Sequence, residues 1–417
     1  MGGSSLAPWV LRQIGGNPSG RELVVIDTTD PDRVATALDR LDPTRAAALP
    51  VSKSGGTVET SALTAIFWER MHADLGDAAG SRFVAITEAG SPLDALAHEH
   101  SFRAVLPHPV DVGGRFAALT AVGLLPGVWL GQDMEALLLA GARALRPIPP
   151  AHPAIELATL MSAVGAGTWA RLAWCASPAL QPAGAWAEQL IAESTGKDGK
   201  GIIPIVSPFP PAAATAWPHT LYLSPRFEDE EVGALDTALD ALVVAGHPVV
   251  RWRLRRSALG ELFAVLELTT AVAALLLGVN PFDEPDVLRA KDRAKAILAA
   301  GKVAPPAPTD DPAGSLLAHL SAVGPEDTVA LLAYLPERED VASALGSLAA
   351  ALGARTGAPV TTAFGPRYLH STGQLHKGGP DCVVPVVLTA DPTRDVPVPG
   401  RRFTLGGLRH AQAMGDS

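Results

Sequence analysis

Four apolar runs of strand length open the chain: ELVVID (Glu22 to Asp27), RAAALPVSK (Arg45 to Lys53), RFVAITE (Arg82 to Glu88) and FRAVLPH (Phe102 to His108). Between them lie Pro31 to Leu41, Thr57 to Leu75 and Ser91 to His100, each long enough for a crossover helix. Strands joined by such helices must run parallel, in a sheet covered on both faces, which makes the class α/β. Helices are expected next at Gly113 to Leu130 and Asp133 to Leu145, and the proline-rich RPIPPAHP (Arg146 to Pro153) then breaks the pattern. This places a domain boundary there, giving parts 1–146 and 147–417. The second part repeats the theme, with strands expected at Ala170 to Ala176, His219 to Leu223, Pro248 to Leu254 and Asp327 to Tyr334, and near Val360 and Val383. Its helices are expected at Ala154 to Gly165, Ala179 to Ser194, Asp229 to Ala245, Gly260 to Gly278, Asp286 to Gly301, Ala313 to Ala322 and Glu339 to Thr356, with a loop at Ala304 to Pro312. The reading is of two α/β sandwiches with mainly parallel sheets.

The 417 residues carry 33 basic and 43 acidic side chains, a net charge of −10 that makes nucleic acid a poor default partner. An anionic ligand has to be held by a local pocket. Only two cysteines occur, Cys175 and Cys382, which suits a reducing cytoplasm. The opening MGGSSLAPWV lacks the basic and apolar pattern of a secretory signal, and the apolar run Leu262 to Val279 contains Glu267, which favours a buried helix over a membrane span.

The densest chemistry lies in EQLIAESTGKDGKGI (Glu188 to Ile202). Trp186 with Leu190, and Ala187 with Ile191, recur at helical spacing and predict one apolar face. Ser194 and Thr195 compete for backbone hydrogen bonds, and Gly196 is expected to end the helix in the left-handed conformation. Glu193 then sits at the end of a rigid element with Lys197 and Lys200 close behind, the arrangement of a carboxylate poised for proton abstraction. A solvated helix-end glutamate has the same local sequence. Two small-residue loops, at Gly2-Gly3-Ser4-Ser5 before a helix and at Ser52-Lys53-Ser54-Gly55-Gly56-Thr57 between strand and helix, offer amides and hydroxyls to a phosphate. Gly113-Gly114-Arg115 opens a helix, where the guanidinium serves either an oxyanion or a surface ion pair. Lys291 follows NPFDEP, and His370 and His376 flank STGQL in a turn after a strand, with no third ligand spaced for zinc.

Together, GGSSLAP at Gly2, SKSGGTVET at Ser52, DVGGRFAALTAVG at Asp111, EQLIAESTGKDGKGI at Glu188, NPFDEPDVLRAK at Asn280 and GPRYLHSTGQLHKGG at Gly365 resemble the glucose-6-phosphate isomerases. The likeness is greatest to the isomerase half of fusions that also carry a transaldolase module. It implies two sugar-isomerase sandwiches acting on a sugar phosphate without a cofactor, usually as a homodimer. By position, it implies that Gly3, Ser4, Ser52, Lys53, Ser54 and Thr57 hold the phosphate. Arg115 would steady the enediolate, and Glu193 would move the proton between C1 and C2. His370 and Lys291 would open and close the ring, the His commonly crossing from a partner subunit.

The chain departs from the common isomerase pattern at Glu284, Asp286 and Leu288, where that pattern has Gln, Gly and Glu, which bears on the support of Lys291. In the family a Gly and a buried strand precede the first loop, so a fragment, or a start further upstream, is expected. Losing a central strand would leave buried backbone groups unpaired at ~1–3 kcal/mol each. A non-catalytic sugar-phosphate-binding module on the same sandwiches is the alternative reading.

Overall fold

The computed structural model describes residues 3–165, 167–300 and 310–416, including every strand and helix named below. Gly2, and the loop at 304–309, lie outside them. Among the described residues nine strands form three sheets, and every pairing within them is parallel. The first pairs β1 (Val84–Thr87) with β2 (Ala104–Pro107). The second has the order β4-β3-β5-β6, from β3 (Trp169–Trp174), β4 (Gly201–Val206), β5 (Thr220–Phe227) and β6 (Val249–Leu254). The third has the order β8-β7-β9, from β7 (Thr328–Tyr334), β8 (Val360–Phe364) and β9 (Val383–Thr389). A mixed α/β architecture of parallel sheets is the class that the alternating pattern demands.

Two expected strands of the first part turn out otherwise. Glu22–Asp27 is irregular and has no strand partner among the described residues; the Val25 carbonyl is instead met by Arg33 Nη2 at 3.2 Å and Asp27 faces Arg367 at 3.4 Å. β-propensity without a neighbouring strand leaves the backbone unpaired, and these side-chain donors take over part of that work. Arg45–Lys53 runs beside β1 but makes only the isolated bridges Ala48↔Phe83 and Val51↔Ile86, because Pro50 between them has no N–H to give. It still delivers Ser52–Thr57 to the C-terminal end of the sheet, where the helix Val58–Leu75 begins. The sequence pattern also missed two elements. β4 starts inside the glycine-rich turn and contains Pro204, tolerable because β4 is an edge strand. The C-terminal helix Leu405–Asp416 is masked by Gly406-Gly407.

One apolar core joins elements from either side of the proline-rich segment. Leu6, Val10 and Leu11 of the N-terminal helix Gly3–Ile14 share it with Trp174 of β3, Leu190 of the helix Ala183–Thr195, and Phe263 and Leu266 of the long helix Leu259–Leu277. Burying each large side chain is worth roughly 1.5–3 kcal/mol. The long helix is apolar enough to cross a membrane, yet most of that span is buried in this core. A second core ties Leu405 and Leu408 of the C-terminal helix to Val34, Leu63 and Ile66 of the first part. The chain therefore returns to its beginning. Arg171, fully buried on β3, fastens the second sheet to the third by donating to Thr328 Oγ1 at 3.1 Å and the Asp327 carbonyl at 2.9 Å.

Candidate active site

The helix Ala183–Thr195 is buried almost all round, so the single apolar face read from its periodicity understates its burial. It packs on the N-terminal helix, the long helix and β4. Its end is built differently from expectation. Gly196 has φ −77°, outside the left-handed region; the positive φ values fall at Asp198 and Gly199, in a tight turn closed by the Lys197 and Lys200 backbones. Gly196 is required for another reason: a Cβ there would collide with the Leu375 backbone. That close approach brings the His370 turn against the end of the glutamate helix. Thr195 Oγ1 donates to Ile191 O at 2.7 Å and accepts from Ile202 N at 3.0 Å, stitching the helix end to β4.

Glu193 is buried, not solvated. Its Oε1 lies 3.1 Å from Arg115 Nη1, and its Oε2 accepts from Gln189 Nε2 at 3.1 Å. Burial pushes its pKa upward; Arg115 opposes this, and the nearby Glu284 charge adds to it. The result is a carboxylate that is a stronger base than a solvated one. Arg115 stands on a short 3-10 turn, Gly114–Phe116, and the helix begins only at Ala121 after the Thr120 cap, so the expected continuous helix from Gly113 is interrupted. The start of the N-terminal helix abuts this turn, since a Cβ on Gly3 would collide with the Gly114 carbonyl. Arg115 donates through Nη2 to Pro281 O at 2.8 Å and Asp283 O at 2.9 Å, and through Nε to Ser194 Oγ at 3.0 Å. It is therefore a buried clamp, not a surface ion-pair partner.

His370 closes the constellation. Its Nε2 is 2.9 Å from Glu59 Oε1, and its carbonyl accepts from Gln189 Nε2 at 2.5 Å. Glu59 also accepts from Gln412 Nε2 at 2.7 Å. Burial works against a charge on Glu59, but His370, its hydrogen bond and Lys291 outweigh it and hold the carboxyl well below its usual range. Burial lowers the His370 pKa, against the pull of Glu59. With Nε2–H directed at Glu59, the neutral ring keeps Nδ1 as its acceptor. Lys291 lies near enough to bias the charge of Glu59, Glu193 and His370 alike. His370 thus meets the other groups within its own chain. His376, by contrast, is half-buried with its pKa pushed down to about 3 by desolvation, and is neutral.

The helix of Lys291 is held at its start by Gln374, from a distant segment. Gln374 Oε1 accepts from Asp286 N at 2.9 Å and Val287 N at 3.3 Å at the start of the helix Pro285–Ala300, while its Nε2 donates to Asp286 Oδ2 at 2.6 Å and Gly196 O at 3.0 Å. Lys197 and Lys200 do not face Glu193. Lys197 pairs with Asp283 at 2.8 Å and Lys200 donates to Leu277 O at 2.8 Å, so both fasten the segment that carries Arg115's carbonyl partners.

The loop Ser52–Thr57 has Ser52 Oγ 3.1 Å from Thr57 Oγ1 at the start of the helix that carries Glu59. Gly55 takes φ +64°, and a Cβ would press on Ser91 at 2.6 Å. Ser54 is exposed, its Oγ accepting from Gly56 N at 3.3 Å. Lys53 donates to Val110 O at 2.8 Å. Gly3 is buried and Ser4 half-buried on the N-terminal helix. Sequence reasoning overlooked Glu59, Gln189 and Gln412. Gln189 had a signal, four residues before Glu193 on the same helical face. Glu59 and Gln412 meet across 353 positions and had none.

Residues 1–197 match the family described as phosphoglucose isomerase. The glucose-6-phosphate isomerase of Rubrobacter xylanophilus is 32% identical over 343 residues, which cover 69% of this chain and 78% of that one. A probable glucose-6-phosphate isomerase of Natronomonas pharaonis is also 32% identical, with the same coverage of each chain. In structure, the chain is similar to a hypothetical protein from Thermus thermophilus, with a TM-score of 0.62, 28% identity, and coverage of 72% and 82%. It is also similar in fold to a glucose-6-phosphate isomerase from Chlamydia trachomatis, with a TM-score of 0.54, 20% identity, and coverage of 76% and 70%.

Proposed function

Because the chain belongs to the phosphoglucose isomerase family, we propose that it interconverts glucose 6-phosphate and fructose 6-phosphate through the site around Glu193. The observation that carries this reading is the burial of Glu193 between Arg115 and Gln189, with the His370–Glu59 pair and Lys291 within electrostatic reach. The substrate phosphate rests among Gly3, Ser4, Ser52, Lys53, Ser54 and Thr57. His370, through Nδ1, takes the proton of the anomeric hydroxyl while Lys291 protonates the ring oxygen, so the bond between the anomeric carbon and that oxygen breaks. Glu193 removes the proton from C2 of the open aldose and returns it to C1. Meanwhile the charge that develops on the oxygen is held by the Arg115 guanidinium. These groups can carry the proton transfers without a cofactor.

A homodimer belongs to the same reading. It is supported by large apolar side chains left exposed on neighbouring helices, among them Val128, Leu139 and Leu275. A cytoplasmic setting is supported by the two unpaired cysteines. The test is turnover of fructose 6-phosphate by the purified chain, with glucose 6-phosphate detected by a coupled dehydrogenase. Turnover at an enzymatic rate is expected. Tight sugar-phosphate binding with no turnover would replace this reading with the binding module.

A further inference from the structure

Every nitrogen of Arg115 is engaged by the protein itself. Nε–H is shared between Ser194 Oγ at 3.0 Å and Pro281 O at 3.3 Å, and the two Nη2 protons go to Pro281 O and Asp283 O. Nη1 donates to Glu284 Oε2 at 3.3 Å and forms an ion pair with Glu193 Oε1 at 3.1 Å. An oxyanion that takes the Nη1 edge of the guanidinium therefore competes with one of these two carboxylates. The backbone carbonyls of Pro281 and Asp283 are fixed by the loop that Lys197 pins through Asp283 and the Asn280 carbonyl. Glu193 is buried and tied to Gln189. Glu284 differs from both: its side chain is 34% exposed, and no second hydrogen bond from the described residues holds its carboxylate.

We propose that Glu284 is a substrate-displaced placeholder, its carboxylate holding the Arg115 donor that the enediolate oxygen takes over. It is a positioning residue, and the inference rests on the isomerase reading of the site. Until substrate arrives, the pair keeps Arg115 aimed and its charge compensated, which a buried guanidinium needs. Displacement moves Glu284 toward solvent and leaves Nη1 facing the reacting oxygen. The arrangement costs affinity, since the incoming anion competes with a resident one. It also strengthens the base: the charged groups around Glu193 are Arg115, Lys291 and Glu284, and Glu284 is the like charge among them.

The experiment uses the full chain with Glu284→Gln, nearly isosteric and able to accept weakly from Nη1, and Glu284→Ala, which removes the competitor. The probe is an aldonic acid phosphate one carbon shorter than the substrate, whose carboxylate mimics the enediolate, with Kd measured by calorimetry. Turnover is followed across pH in parallel. Both variants should bind the probe about tenfold more tightly, the order expected for removing a nearby like charge at a partly exposed site. KM and kcat should fall together, and the acid limb of kcat/KM should move to lower pH as Glu193 loses its like-charged neighbour. Unchanged or weaker probe binding, with the acid limb in place, would overturn the placeholder and leave Glu284 as loop support. The isomerase reading fails separately: a wild-type chain without turnover would defeat it, whatever the variants do to probe binding.

Discussion

The Nη1 atom of Arg115 lies 3.1 Å from Oε1 of Glu193, so the cation proposed to receive negative charge and the carboxylate proposed to receive a proton share one edge of the site. In the proposed mechanism, proton abstraction neutralises Glu193 as the substrate oxygen gains its charge. Arg115→Lys keeps the charge but loses the fork that binds Pro281, Asp283 and Glu193 at once. We expect kcat to fall by about 10²–10³ with a smaller change in KM, measured by steady-state kinetics.

Glu59 is the group through which His370 is held. Glu59→Gln retains an oxygen to accept from Nε2 but removes the charge, so the His370 pKa, already lowered by burial, should fall further. Turnover should drop about 100-fold. The pH limb that belongs to His370 should move to lower pH, while the limb that belongs to Glu193 moves much less. Ring opening can be followed apart from isomerisation as anomer interconversion by NMR, and this step should carry the loss.

Gly196 couples the two halves of the chemistry, since it lets the Leu375 backbone lie on the end of the glutamate helix. Gly196→Ala should cost about 1–3 kcal/mol by overpacking. It should also lower kcat by pushing the His370 turn from Glu193. Denaturant unfolding and kinetics on the same sample check both effects.

Glu267, half-buried on the long apolar helix, has an Oε1 with no partner among the described residues, and desolvation pushes its pKa up to about 8. A folded pKa above the unfolded one means that its protonated form contributes stability below about pH 4.5. That contribution is lost as pH rises toward 8, because the unfolded chain ionises first. Glu267→Gln should therefore stabilise the protein increasingly from pH 5 to pH 8, by about 1.4 kcal/mol for each pH unit. Denaturant unfolding of both proteins at the two pH values reads this out.

How far the sequence could be read depended on the range of the interaction. Period and length placed β3, β5, β6 and β7 and most of the helices, because a run such as Thr328–Tyr334 is apolar whichever neighbour it meets. They failed at Glu22–Asp27, where strand formation depends on a partner that composition cannot supply. They failed again at Gly201–Val206, where a glycine-rich turn runs directly into a strand. Arg115, Glu193, Lys291 and His370 were visible as motifs, and the structure brings them together. Their connections were not visible. Glu59 touching His370 and Gln412, and Gln374 capping the helix of Lys291, are contacts between distant segments whose side chains are locally unremarkable.

The central claim is that Glu193 moves the substrate proton. Its most direct test is deuterium incorporation at C1 and C2 of the hexose 6-phosphate pool in D₂O, by wild type and by Glu193→Gln. Rapid incorporation by the wild type is expected, with a loss of about 10³-fold or more in the variant and sugar-phosphate affinity little changed. Incorporation by Glu193→Gln at the wild-type rate would contradict it.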